Sequence, residues 1–135
     1  MTVEMDLEKV AFRWNPKLWS AALKRTECYD HLLSQKKLRI LEVGASNSIV
    51  SLMFDATQSD ITVGCWQQKQ LTEAELTLKG LNTLKSKYTA KQVDAYKIAG
   101  KFDVIIMKSV LGGLFRTHNS AIDESECYIK NLLEK

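Results

Sequence analysis

The segment Leu38-Arg39-Ile40-Leu41-Glu42-Val43-Gly44-Ala45-Ser46-Asn47-Ser48 constrains this chain more than any other. A short apolar run carries one acid near its end, then breaks into a glycine and a string of small polar residues. Ile49 to Phe54 is apolar again and reads as a helix that starts at once, with Asn47 or Ser48 as its cap. Strand, tight turn and helix N-terminus in that order form the cradle that α/β folds offer to nucleotide-like ligands. Glu42 narrows the ligand, because a carboxylate two residues before Gly44 suits a cationic group better than a phosphate.

The rest of the chain alternates in the same way. Asn15-Pro16 opens a helix, with Asn as cap and Pro at the first helical position, where its missing N–H costs nothing. Leu18, Trp19, Ala22, Leu23, Tyr29, Leu32 and Leu33 recur along it at helical spacing, and Lys36-Lys37 fall at the negative end of its dipole. Leu38 to Val43 is the first strand and Ile61 to Trp66, rich in β-branched residues, the second. Thr72-Glu73-Ala74-Glu75 matches a capping box, ahead of a stripe of Leu71, Ala74, Leu78, Leu81 and Leu84. Ala90 to Val93 is a weak third strand. Phe102 to Met107 is a fourth, apolar throughout except Asp103, as in strands covered on both faces. After Gly112-Gly113, Ser120 to Asp123 caps a last helix with Ile122, Ile129, Leu132 and Leu133 on one face.

This order predicts a Rossmann-like α/β sandwich of three layers, with a parallel sheet in the order 3-2-1-4. Residues 1–37 read as an N-terminal helical segment and 38–135 as the α/β domain. Strand four is too apolar for a comfortable sheet edge. The expectation is therefore a domain truncated before its last strands, with that edge paired by another chain, a second copy included, or by a rearranged segment.

Composition closes off other classes. The 135 residues suffice for one modest core, and the net charge of +3 comes from interspersed lysines, arginines and acids with no basic block to grip nucleic acid. Cys28, Cys65 and Cys127 form no Cys-x-x-Cys pair, which argues against a zinc site or disulfide framework and fits a cytoplasmic protein. They read as small packed residues. No apolar run approaches a membrane span, and the acidic N-terminus is no signal peptide.

From Arg39 onward the chain resembles the N-terminal part of class I S-adenosylmethionine-dependent methyltransferases. Leu41-Glu42-Val43-Gly44 matches that family's apolar-acidic-apolar-glycine opening. Val93-Asp94-Ala95 matches its acidic-small pair after strand three, Phe102-Asp103-Val104-Ile105 its fourth strand, and Ser109-Val110-Leu111 the following loop. Residues 119–135 would be the helix before strand five. The resemblance implies S-adenosylmethionine as cofactor and an acceptor such as a small molecule or glycan. Glu42, Gly44, Ala45 and Ser46 would cradle the methionine portion, Cys65, Trp66 and Gln67 the ribose, and Asp94 and Ala95 the adenine. Two positions depart from the family. The turn reads Gly44-Ala45-Ser46-Asn47-Ser48 in place of G-x-G-x-G, and Cys65-Trp66-Gln67-Gln68 stands where a ribose-binding acid is usual.

Plainer readings stand beside these. Glu42 can bond nearby backbone N–H groups, Asp94 can open a turn, and Trp66 can pack at a rim. Lys108 sits at the ligand side of strand four or snorkels to solvent, His118 is a loop histidine or a base, and His31 is structural. A non-catalytic, partner-binding Rossmann-like scaffold is the alternative to an enzyme. A nicotinamide enzyme fits least: Ile49 occupies the last glycine position of G-x-G-x-x-G, and no acid lies between Val63 and Gln70.

Overall fold

The computed structural model describes residues 21–22, 24–107 and 121–134. Their order is α1 (Glu27–Ser34), β1 (Arg39–Val43), a 3-10 helix (Val50–Thr57), β2 (Asp60–Cys65), α2 (Gln68–Lys79), β3 (Lys87–Gln92), β4 (Val104–Met107) and α3 (Ala121–Leu133). The four strands form one sheet in the order β3-β2-β1-β4. Every pairing is parallel, with Leu41 opposite Thr62 on one side and Ile105 on the other. This is the expected layout.

Alternation along the strands divides the core. Ile40, Ile61, Val63 and Cys65, with Val104 and Ile106, face a layer built by Tyr29, Leu32 and Leu33 of α1, the 3-10 helix, and Leu71, Ala74 and Leu78 of α2. Leu41, Val43, Ile105 and Met107 face the other way, onto Ala95, Ile98, Phe102 and Leu132 of α3. Tyr29 anchors α1, with its hydroxyl on the Met53 carbonyl (3.2 Å) and its ring edge-on to Phe54 at 5.6 Å. Arg39 and Asp103 tie the starts of β1 and β4: each backbone N–H reaches the other residue, one to a carboxylate oxygen and one to a carbonyl, both at 2.8 Å.

Several boundaries differ from expectation. Extended backbone at Thr26 interrupts the first helical stretch, which resumes at Glu27. Just past that helix, the Lys36 ammonium donates to the Ala56 carbonyl (2.8 Å) at the end of the 3-10 helix. The element after β1 is a 3-10 helix of eight residues, long for its kind, with only Ala56 exposed. Neither Asn47 nor Ser48 is its cap residue, which is Ile49, without a side-chain cap bond of its own. α2 starts at Gln68, because Gln67 and Gln70 form the capping box; Thr72 is mid-helix, bonded back to the Gln68 carbonyl. β3 begins at Lys87. Cys65 is a core residue, whereas Cys28 and Cys127 are exposed free thiols. No helix among the described residues is long and apolar enough to cross a membrane. Asn15-Pro16, Leu18, Trp19, Leu23, Ser109 to Gly113, His118 and Ser120 lie outside the described residues.

Candidate functional site

The C-terminal ends of the parallel strands bring together the turns after β1, β2 and β3. The chain order reverses between β1 and β4, the position where open α/β sheets take ligands. Gly44 opens the first turn with φ of 83°, a backbone conformation that side chains disfavour. The N–H groups of Gly44 and Ala45 both donate to the Gly64 carbonyl at 2.9 Å, which pins the turn to the end of β2. Gly64 in turn admits no side chain. A Cβ there would meet the Glu42 carbonyl at 2.7 Å and the Val93 side chain at 2.9 Å. A glycine inside a β-branched strand is the sequence signal for such a close approach.

Glu42 lies beneath the turn, 3% exposed. One carboxylate oxygen accepts the Val50 N–H (2.8 Å); the other accepts the Ser51 N–H (3.0 Å) and the Ser51 hydroxyl (2.7 Å). A residue eight positions upstream thus caps the 3-10 helix. Burial pushes its carboxyl above the ordinary range, while the bonds from Ser51 and Val50 pull the other way. Three donors converging on two oxygens is the pattern an ionised carboxylate accepts. The consequence for ligands is direct. The N–H groups of Val50 and Ser51, which in a dinucleotide cradle would face a pyrophosphate, are occupied by the protein's own acid.

The other expected contacts are placed as follows. Ser46 is half-buried, with its hydroxyl on the Asn47 side-chain oxygen (3.2 Å). The Cys65 side chain points into the core, where burial first, and then the charge of Glu42, pushes the thiol up to about 11. Trp66 is 53% exposed at the rim. The side chain of Gln67 is engaged in capping α2. Asp94 is half-buried and turns back on its own loop, accepting the Tyr96 N–H at 2.9 Å, and Ala95 is buried. Lys108 lies outside the described residues. Tyr128 of α3, which nothing in the sequence marked, donates its hydroxyl to the Ala95 carbonyl and so fixes the loop after β3.

Among the described residues, cavities flank α3. One of about 590 Å³ is lined mainly by apolar residues, among them Ile98, Phe102, Ile105, Met107 and Leu133. Another, of about 400 Å³, lies between Ala95, Tyr96 and Tyr128. Neither is lined by the turn at Gly44. No family model, curated protein or solved structure matches this chain.

Proposed function

We propose that the chain is the cofactor-binding part of an S-adenosylmethionine-dependent methyltransferase that acts in the cytoplasm, where exposed thiols such as Cys28 and Cys127 stay reduced. One observation carries the reading: a buried carboxylate, Glu42, holds the first amides of the helix after β1. This removes the donors a phosphate needs and sets an acid under the turn that a sulfonium or amino group would approach. Gly44, free of a side chain and at positive φ, gives such a group room.

The residues present fit this cofactor at two ends. Gly44, Ala45 and Ser46 would hold the methionine portion over Glu42, and Asp94 with Ala95 the adenine. On the ribose side Trp66 offers an exposed ring, and no carboxylate stands beside it between 63 and 70. When bound, the cofactor supplies an electrophilic methyl group. The protein's part is to orient it and exclude water, and such positioning accounts for most of the catalysis in transfers of this kind. The acceptor on this reading is a small molecule or glycan.

A second reading rests on a separate observation. Gln67 and Asp94 are both engaged within the protein, and an apolar groove flanks α3, as suits a non-catalytic partner-binding scaffold. Calorimetric titration separates the two. Binding of S-adenosylmethionine and S-adenosylhomocysteine, with none of NADH, supports the cofactor site. Absence of binding at millimolar S-adenosylmethionine, or preference for NADH, overturns it.

A further inference from the structure

The larger and the smaller cavity beside α3 share a wall, Ile98 and Leu132, and differ in what else lines them. The larger carries Arg39 and Lys101 against Asp103, two cations to one acid. The smaller, of about 400 Å³, carries Tyr96, Tyr128, Asn131 and Glu134. Among the described residues, its charged lining is the acid alone. Lys97, exposed on the same loop as Tyr96, and Lys130, paired with Glu126 at 3.2 Å, are not part of it.

The two rings stand on backbone that is already fixed. Tyr128 donates its hydroxyl to the Ala95 carbonyl, which ties the ring to the loop after β3. Burial pushes that hydroxyl's pKa up, and the nearby Tyr96 and Asp94 add to the shift, so the ring stays a neutral phenol. Asp94 accepts the Tyr96 N–H on its carboxylate and the Lys97 N–H on its carbonyl, both at 2.9 Å. On this held turn the Tyr96 side chain is 54% exposed. A ligand therefore pays little to order the site. Glu134 lies in the turn that ends α3, its N–H on the Lys130 carbonyl (3.1 Å). An acid at that end opposes the helix dipole, and a cation beside it offsets the cost.

We infer that this cavity, between the loop after β3 and α3, binds a small organic ammonium ion through the rings of Tyr96 and Tyr128 and the carboxylate of Glu134. The inference is independent of the cofactor reading, since neither Glu42 nor the turn at Gly44 lines the cavity. Aromatic faces attract a diffuse, weakly hydrated cation, and a quaternary ammonium is the type they hold best. A metal ion needs several hard or thiolate donors, and one carboxylate is too few. An anion meets Glu134 with no cation in the lining. The volume takes a trimethylammonium group with a short polar arm, to which Asn131 offers its amide.

Titration of the full 135-residue chain with choline, and with its uncharged isostere dimethylbutanol, tests the inference. The ring resonances of Tyr96 and Tyr128 are followed by NMR. Choline should shift both saturably, with a Kd of about 1 mM, and the isostere should bind about tenfold more weakly. Tyr96→Leu and Glu134→Gln, both at exposed positions, should leave the circular dichroism unchanged. They should weaken choline binding about fivefold and about threefold, the loss of one ring face and of one exposed charge. Equal affinity for choline and the isostere overturns the inference, as does the lack of a saturable shift at about 10 mM choline. Choline binding that both variants retain at wild-type strength also overturns it.

Discussion

Replacing Glu42 by glutamine tests the geometry beneath the turn without changing its shape. The amide keeps one acceptor oxygen and sets an NH2 group where the other oxygen was. With the oxygen kept at Ser51, the NH2 faces the Val50 N–H, donor against donor; flipped, it faces the two donors of Ser51. Either way a buried donor loses its partner, which costs about 1–3 kcal/mol. For a chain of this size that is a fall in melting temperature of about 4–10 °C. The pH dependence has a definite sign. Burial raises the folded carboxyl above 4.5, so the native state binds more protons than the unfolded chain in the window above that value. The wild-type contribution is therefore fullest below the unfolded value and declines as pH rises through the folded one. Glutamine does not titrate. Thermal melts by circular dichroism at about pH 5 to pH 8 should show the widest gap between the two proteins at the acid end, narrowing as pH rises. A gap that widens with pH, or its absence at about pH 5, refutes the reasoning.

Asp55, 1% exposed, accepts the backbone N–H groups of Lys85 and Ser86 and the Tyr88 hydroxyl; Asp55→Ala should cost about 3–5 kcal/mol by chemical denaturation, releasing the start of β3. Gly64→Ala drives a Cβ into the Glu42 carbonyl and Val93, and should cost about 2 kcal/mol or more by the same measurement. Cys65, with its thiol pushed up to about 11 and no exposure, should resist maleimide in the native protein while Cys28 and Cys127 react, as mass spectrometry of the labelled chain would show.

The strand order was legible because each strand carried its own signal: apolar continuity in β1 and β4, β-branched residues in β2. β3 was read only from Ala90, since Lys87, Tyr88 and Thr89 alternate as an exposed edge strand and resemble a loop. The start of α2 was missed for a local reason. A glutamine box at 67 and 70 does what Thr72 and Glu75 promised, and the threonine back-bonds within the helix instead. The cap of the 3-10 helix was out of reach of local pattern, because its acceptor comes from the preceding strand. The tight turn at Gly44 was legible, and so was an acid at Glu42 able to bond nearby backbone N–H groups. The engagement of Gln67 and Asp94 was not, since it depends on loop geometry that residue types alone do not specify.

On the proposed reading, the acid under the β1 turn makes this a site for a cationic ligand. S-adenosylmethionine and S-adenosylhomocysteine differ in the sulfonium charge and its methyl group, so the ratio of their affinities isolates that claim. Calorimetric titration of the wild-type protein and of Glu42→Gln should show tighter binding of the sulfonium form in the wild type. In the variant that preference should fall about tenfold, the equivalent of one charge-assisted contact, with the affinity for the thioether little changed. A preference that is the same in both proteins, or no binding of either ligand to the wild type, would contradict it.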